Sequence, residues 1–261
     1  MTIVKFSKRF TSIGAVLTVG TMAILSMSDA THAAEISVFS DGPVAPILAG
    51  LAETFGRQTG HQARITGAPT PALKRRMSAG EPVDVFITGA HDVGALVEEG
   101  QLVTGSTVVI TRIGIGLAMR EGARLPDISS PSALKKAVLD ADSVIVSTFT
   151  TGNHFLAVLE RLGVTEQMKA RTTRVSSGAA IFQELHKRQG NDLGVASMTQ
   201  ILEHAKNGIR PVGPLPADLQ DYVQFAASVT TSSTSPDLAR EFIRFLASPS
   251  SKAAFAAGGA D

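Results

Sequence analysis

The stretch that decides the fold covers residues 36–88 and reads ISVFSDGPVAPILAGLAETFGRQTGHQARITGAPTPALKRRMSAGEPVDVFIT. Three short apolar runs in it predict buried strands at Ile36–Ser40, Ala63–Thr66 and Asp84–Thr88. Between these strands, apolar residues recur every three or four positions, which predicts one helix around 44–55 and another around 73–77. Alternation of strands and helices predicts parallel sheets that are covered by helices on both faces.

The same alternation continues to the end of the chain. Further strands are predicted at 108–119 (one or two), 143–147, 173–176, 193–197 and 222–230. Further helices are predicted at 93–99, 133–141, 155–162 and 179–188, and a last one from Ser235 onward. The stretch Pro211–Pro216 is read as a Pro/Gly connection. The sequence therefore predicts an α/β fold.

Composition excludes several classes of function. The chain has 261 residues, 44% of them hydrophobic and 18% charged, which is enough for a large core. It has no cysteine, which excludes disulfides, cysteine nucleophiles and thiolate metal sites. A net charge of +1 does not favour a nucleic-acid partner. We expect no metal and no cofactor, because the sequence has no P-loop, no pair of histidines at H-x-x-x-H spacing and no G-x-S-x-G. The pair Gly114 and Gly116 lacks the third glycine of a dinucleotide motif.

The N-terminus has the three parts of a secretory signal peptide. Lys5, Lys8 and Arg9 form a basic region, an apolar run follows over Ile13–Met27, and Ala30–Ala33 supplies small residues for cleavage after Ala33. The apolar run is shorter than the ~20 residues that a membrane-spanning helix needs. We therefore expect a signal peptide at 1–33 and a periplasmic mature chain at 34–261.

Four junctions between strands and helices share one chemistry. Small or hydroxyl residues follow the strand ends at Ser40–Pro43, Gly67–Thr70, Thr150–Asn153 and Ser176–Gly178. Ligands of open α/β sheets bind beyond the carboxyl ends of the strands, where helix N-termini present free N–H groups. The pattern predicts a site for a small anion, with Ser40, Thr70, Thr151 and Ser176 as ligand-binding residues. The alternative is that these residues are ordinary helix N-caps.

Three charged or titratable residues lie near these junctions. Asp41 is a candidate general base, although a helix N-cap is the other interpretation. His154 is a candidate acid–base or cationic group, or else a partly exposed residue in a first helical turn. Lys74 could reach an anion from the second helix, or it could belong to a solvated face.

Two segments resemble a known family. The segment Gly80–Ile87 (GEPVDVFI) and the C-terminal helix, with its pattern F-x-x-F-L-x-S-P-x-x-x-A-x-F at Phe242–Phe255, are similar to the periplasmic molybdate-binding protein family, as is Leu193–Val195. The resemblance implies a two-lobed type II periplasmic binding-protein fold, each lobe a mostly parallel sheet flanked by helices. It also implies lobe 1 at 34–112 plus 219–261, lobe 2 at 113–218, and a monomer that delivers a small anion to an ABC transporter permease.

The ligand loops depart from the family pattern. Ser197 stands where the family commonly has a tyrosine. The family's second ligand loop is serine-rich, whereas this chain has Pro69-Thr70-Pro71 there and keeps one hydroxyl, on Thr70. The chain resembles a divergent branch that includes a periplasmic aconitate isomerase. Two functions therefore stay open. One is capture of a molybdate-like oxyanion or small carboxylate with the five hydroxyl residues, Ser197 included. The other is isomerisation of trans-aconitate to cis-aconitate, with Asp41 or His154 as the base.

Overall fold

The computed structural model describes residues 1–3 and 33–261, and in them it contains nine strands and ten α-helices. The strands are β1 (Glu35–Ser40), β2 (Gln62–Gly67), β3 (Val85–Gly89), β4 (Val108–Arg120), β5 (Val144–Ser147), β6 (Thr172–Val175), β7 (Leu193–Ser197), β8 (Ile209–Pro214) and β9 (Tyr222–Val229). The helices are α1 (Ala45–Thr59), α2 (Thr70–Ser78), α3 (Ala90–Glu98), α4 (Pro131–Asp140), α5 (Thr150–Arg161), α6 (Thr165–Met168), α7 (Gly178–Lys187), α8 (Met198–His204), α9 (Pro236–Leu246) and α10 (Pro249–Ala257). The expected signal peptide at 1–33 lies almost entirely outside the described residues.

Most predicted elements are confirmed, with three corrections. The Pro/Gly stretch contains a strand, β8, which pairs only with β4 and therefore tolerates proline at a sheet edge. The C-terminal helix is two helices, because Ser248 caps α10 and Pro249 begins it. Two helices were not predicted: the short α6, and α8, which follows β7 with no loop.

The sheet is mixed rather than wholly parallel. Its strand order is β2-β1-β3-β9-β4-β7-β5-β6, and β8 pairs with β4 beside that path. Parallel pairs join β1 to β2 and β3, and β5 to β6 and β7. The pairs that involve β9 or β4 are antiparallel. The parallel strands thus fall into two groups, each with one antiparallel strand added. We call β1, β2, β3 and β9 the first strand group, and β5, β6, β7 and β8 the second strand group.

Strand β4 belongs to both groups. Residues 108–114 pair with β9, whereas 115–120 pair with β7 and β8. The buried side chains change core at the same place, because Ile110 and Ile113 pack with β1, β3, α1 and α9. Ile115 and Leu117 pack instead with α4, α5 and β7. One continuous strand thus supplies two hydrophobic cores.

The carboxylate of Asp84, the residue directly before β3, connects β1 to the segment that leads into α9. This buried side chain accepts a hydrogen bond from the Ser37 N–H in β1 (2.9 Å). Its other oxygen accepts bonds from the Ser233 hydroxyl (2.6 Å) and from the N–H groups of Thr234 and Ser235 (3.2 and 3.3 Å). Because Ser235 directly precedes α9, Asp84 fixes the start of the C-terminal helices to the strand that carries the first candidate loop.

The start of α5 approaches β5 closely at Gly152. A Cβ at this position would lie 2.8 Å from the carbonyl carbon of Ser147, and closer still to its oxygen. Gly152 therefore lets the helix that carries Thr151 begin against the end of β5.

We predict that Gly152→Ala destabilises the protein by about 2 kcal/mol or more, since the methyl group meets backbone that cannot rotate away. The matched control is Gly50→Ala in α1, where a Cβ has open space and helix propensity should add about 0.5–1 kcal/mol. Chemical denaturation of both variants measures the free energies of unfolding. Equal stabilities of the two variants would contradict the close packing at Gly152.

Candidate functional site

The loops after β1 and β6 meet across helix α8. The Thr199 hydroxyl of α8 donates to the Pro43 carbonyl in the loop after β1, at 2.6 Å. The neighbouring Gln200 side chain lies beside Gly42 in that loop and beside Gly178 at the start of α7. Two of the four predicted junctions therefore lie on either side of one side chain, which places the candidate site at this meeting point.

Asp41 lies in the loop after β1 and is half-buried. Its Oδ1 accepts a hydrogen bond from the Gly42 N–H at 2.9 Å. Helix α1 begins three residues after Gly42, and its N-cap residue is Val44, without a side-chain cap. Asp41 is thus not the N-cap residue of α1, and its carboxyl group contacts Gly42 and Thr70 instead.

The environment of Asp41 favours its protonated form. Burial raises the pKa of the Asp41 carboxyl to about 6, and the negative charge of Asp92 in α3 acts in the same direction. The Gly42 N–H and the Thr70 hydroxyl and N–H oppose this by stabilising the carboxylate, but they do not balance the burial. A carboxyl group with a pKa about 6 can hold or release a proton near neutral pH.

Three buried hydroxyl groups lie at the strand and helix ends around this carboxyl group. Thr70 begins α2, and its Oγ1 is 2.6 Å from the Oγ1 of Thr88 at the end of β3. The α2 N-cap residue is Pro69, so Thr70 does not act as a side-chain cap. Ser40 ends β1, is fully buried and donates to the Asp41 carbonyl at 3.1 Å. Thr70 is therefore the better placed of the two predicted hydroxyl residues in the first strand group.

The hydroxyl residues of the second strand group differ in role. Thr151 lies in the first turn of α5, with its Oγ1 3.4 Å from the hydroxyl of Ser147. Ser176 is exposed at the end of β6, and its neighbour Ser177 caps α7 by accepting from the Ala180 N–H at 3.1 Å. At this junction the N-cap interpretation is correct for Ser177, while Ser176 and Thr151 make no such cap.

Ser197 ends β7 and faces α8. Its hydroxyl donates to Gln200 Oε1 at 3.0 Å and is 3.2 Å from the Thr199 hydroxyl. Ser197 is buried, and the Gln200 amide lies between the Ser197 hydroxyl and the loops after β1 and β6.

The two predicted cationic candidates are engaged by other parts of the protein. His154 Nε2 donates to the Leu219 carbonyl at 3.0 Å, and Nδ1 is 3.3 Å from a carboxylate oxygen of Asp221. Lys74 pairs with Glu99 at 3.6 Å. Both side chains thus contact neighbouring segments, and the structure does not bring them to Asp41.

Sequence reasoning missed Thr88, Thr199 and Gln200. Thr88 was predicted as a strand residue, without a role. The signal for α8 was present, since Met198, Ile201 and Leu202 recur at helical spacing after Ser197. Among residues 1–3 and 33–261, no cluster of three or more His, Asp or Glu side chains could hold a metal ion.

A separate cavity of about 430 Å³ lies beside α4. Arg124 and Lys136 line it, but so do Asp127 and Asp140, and Lys136 is paired with Asp140. This cavity contains charge of both signs and none of the residues of the candidate site.

The family is decided by a match that covers nearly the whole described chain. The model of the bacterial extracellular solute-binding protein family matches residues 36–260. The chain belongs to that family. This agrees with the two-lobed type II fold that the sequence resemblance implied, which is confirmed.

Two relatives of this solute-binding protein are named for different activities. An aconitate isomerase from Pseudomonas sp. is 28% identical over 222 residues, covering 82% of each chain. A molybdate-binding protein from Azotobacter vinelandii is 25% identical over 224 residues, covering 84% of this chain and 87% of the relative.

Solved structures support the fold of this solute-binding protein. The A. vinelandii periplasmic molybdate-binding protein superposes with a TM-score of 0.70 at 20% identity, covering 87% of this chain and 98% of that one. Within the part of the chain that the structure describes, no helix has the length and apolar character that crossing a membrane needs.

We predict that Asp41→Asn stabilises this solute-binding protein above pH 6. Since the folded-state pKa of Asp41 lies above the ordinary 3.8, its contribution to stability is complete below about pH 4 and is lost as pH rises through 6. The loss amounts to about 1–3 kcal/mol after allowing for solvent screening. Asparagine keeps the shape and carries no charge.

Thermal unfolding of both proteins between pH 4 and 8 measures this effect. The variant should gain relative to the wild type as pH rises and should match it near pH 4. A constant difference across the range would show that Asp41 does not titrate with a raised pKa.

Proposed function

We propose that the protein captures a small anion between its two lobes in the periplasm and delivers it to an ABC transporter permease, acting as a monomer. The ligand class is an inorganic oxyanion or a small carboxylate. The observation that carries the proposal is the position of the neutral Gln200 amide of α8 beside Gly42 and Gly178, in the loops after β1 and β6. Membership of the solute-binding family and the molybdate-binding relative support it.

The lobes proposed are 34–112 plus 219–261 and 113–218. The partner change of β4 after Gly114 supports the first boundary. Near the second boundary, Gln220 bonds both the N–H and the carbonyl of Ile115, at 2.8 and 2.9 Å. The two segments that would connect the lobes, near Ile115 and Gln220, are thereby held together. A ligand that contacts both lobes would favour the closed arrangement of the lobes.

Neutral donors suit an anion at this place because the Asp41 carboxyl group can lose its charge. Two unit charges at about 4 Å repel by about 4 kcal/mol in a partly screened site. An ionised Asp41 would therefore oppose the ligand, whereas a protonated Asp41 could donate a hydrogen bond to it. Thr70, Thr151 and Ser176 supply donors without fixed charge, and Ser40 and Ser197 support the loops from behind.

A second function is favoured by Asp41 and by the aconitate isomerase relative. Isomerisation of trans-aconitate needs a base that removes a proton from the methylene carbon. The double bond then shifts by one position, and the proton returns to the carbon that was olefinic, so that no electron donor or acceptor is required. A carboxylate with a raised pKa can perform both proton transfers. His154 is the other candidate base, although Leu219 and Asp221 hold its ring.

We predict that at least one small anion raises the unfolding temperature of the mature chain 34–261 and that Thr70→Val weakens its binding. Loss of a hydrogen bond to a charged ligand costs about 1.5–3 kcal/mol, which is about 10-fold to 150-fold in Kd. A thermal-shift panel of molybdate, sulfate, phosphate, cis-aconitate and trans-aconitate finds the ligand, and calorimetry gives Kd. Thr151→Val should weaken binding similarly.

The matched control is Thr54→Val, whose hydroxyl bonds the Gly50 carbonyl within α1. It should bind like the wild type. If no anion of the panel binds, the proposed function is wrong; if binding survives both Thr70→Val and Thr151→Val unchanged, the site is wrong.

We predict that pH separates the two functions, because each needs Asp41 in a different state. Anion capture needs the protonated form, so affinity should fall as pH rises through about 6. Isomerisation needs the carboxylate as base, so turnover of trans-aconitate should rise over the same range. Asp41→Asn should remove the pH dependence of binding and abolish turnover. Conversion by the Asp41→Asn variant at the wild-type rate would eliminate Asp41 as the base.

A further inference from the structure

The carboxamide of Gln200 lies between two loops, and each loop has a glycine where it comes closest to the amide. A Cβ on Gly42 would be 3.3 Å from Gln200 Nε2, and a Cβ on Gly178 would be 2.7 Å from the same atom. Gly42 follows β1 and Gly178 begins α7, so the nitrogen is next to both strand groups at once. Glycine at these two positions leaves the space that the amide occupies.

Only one half of this carboxamide has a protein partner. Oε1 accepts the hydrogen bond from Ser197 at 3.0 Å. Among residues 1–3 and 33–261, Nε2 donates no hydrogen bond to the protein, in contrast to the engaged Oε1. Nε2 therefore offers the site two N–H donors, whereas Oε1 already accepts one hydrogen bond.

The backbone that carries Gln200 is fixed on both sides. Thr199 is bonded to the Pro43 carbonyl, and Met198 packs where Gly116 of β4 leaves no room for a Cβ. The carbonyl of Gly213 in β8 would be 2.8 Å from such a Cβ, which shows how tightly α8 and β8 enclose β4. Gln200 therefore starts from a rigid position and has few conformations to lose when it binds.

We propose that Gln200 donates from Nε2 to the bound anion and thereby determines which anions the protein accepts. This inference rests on the proposed function and adds a ligand-binding residue to it. A neutral amide whose oxygen is already engaged matches ligand oxygens that carry no hydrogen, namely ionised carboxylates and fully deprotonated oxyanions. An ionised ligand oxygen accepts a stronger, charge-assisted hydrogen bond from Nε2 than a neutral ligand hydroxyl group does.

The test compares Gln200→Glu, Gln200→Met and the wild-type chain 34–261. Glutamate keeps the size and replaces the donor with a charged acceptor, whereas methionine keeps the length and removes the donor without adding charge. The probe is the anion, among molybdate, sulfate, phosphate, cis-aconitate and trans-aconitate, that the wild type binds most tightly. We expect Kd to rise at least about 10-fold in Gln200→Met and further in Gln200→Glu.

The control for net charge is Gln183→Glu on the exposed face of α7, which should bind like the wild type. Gly178→Ala is a second perturbation of the same amide, since its methyl group displaces only the end of the Gln200 side chain. It should weaken binding without loss of fold. Thermal unfolding verifies that each variant is folded.

The outcomes separate the inference from the function on which it rests. If the wild type binds the probe and the two Gln200 variants bind within twofold of it, the inference is overturned and the proposed function stands. If the wild type binds none of the five anions, both are overturned. If Gln200→Glu fails to fold, Gln200→Met and Gly178→Ala decide the matter by the same criterion.

Discussion

The candidate site depends on one strand that belongs to two cores. β4 pairs with β9 through residues 108–114 and with β7 and β8 through 115–120. Because β4 is continuous, it joins the first strand group to the second. The loop after β1 belongs to the first group and the loop after β6 to the second, so β4 connects the two loops. Gly116 of β4 has no side chain, which leaves room for Met198 of α8. Helix α8 can therefore approach both strand groups. Without that approach, Thr199 could not reach Pro43, and no side chain would lie between Gly42 and Gly178.

A half-buried carboxyl group, Asp41, lies at the proposed anion site and gives this solute-binding protein a charge that depends on pH. Hydroxyls and amides hold an anion without a net charge, and ligand affinity then depends on geometry and on exclusion of water. Asp41 adds a charge that depends on pH, and its loop position beside Thr70 makes that charge matter for any ligand. The same group can repel an anion, donate a hydrogen bond to it or remove a proton from it. One fold can therefore support both capture and isomerisation with few changes in side chains.

Much of the fold could be predicted from the sequence, because the pattern of apolar residues in segments such as 36–88 is strong and the strands are short and buried. Strand direction could not be predicted, since β9 and β4 have the same apolar character as the parallel strands and differ only in their connections. Of the site, the junctions were predictable and the roles were not. Ser177 and Thr70 have similar residue types, yet only Ser177 caps its helix. Gln200 was missed because the two glycines beside its amide, Gly42 and Gly178, are distant in sequence. The contacts of His154 could not be predicted because its partners, Leu219 and Asp221, come from a distant segment.

The central claim is that neutral donors around α8, between the loops after β1 and β6, bind the anion. The most direct measurement is a crystal structure of the mature chain, grown with the anion that stabilises it most. The account predicts ligand density within hydrogen-bond distance of Gln200 Nε2 and beside the Thr70 hydroxyl. Density in the cavity lined by Arg124 and Lys136 instead, with the space between Gly42 and Gly178 free of ligand, would contradict it.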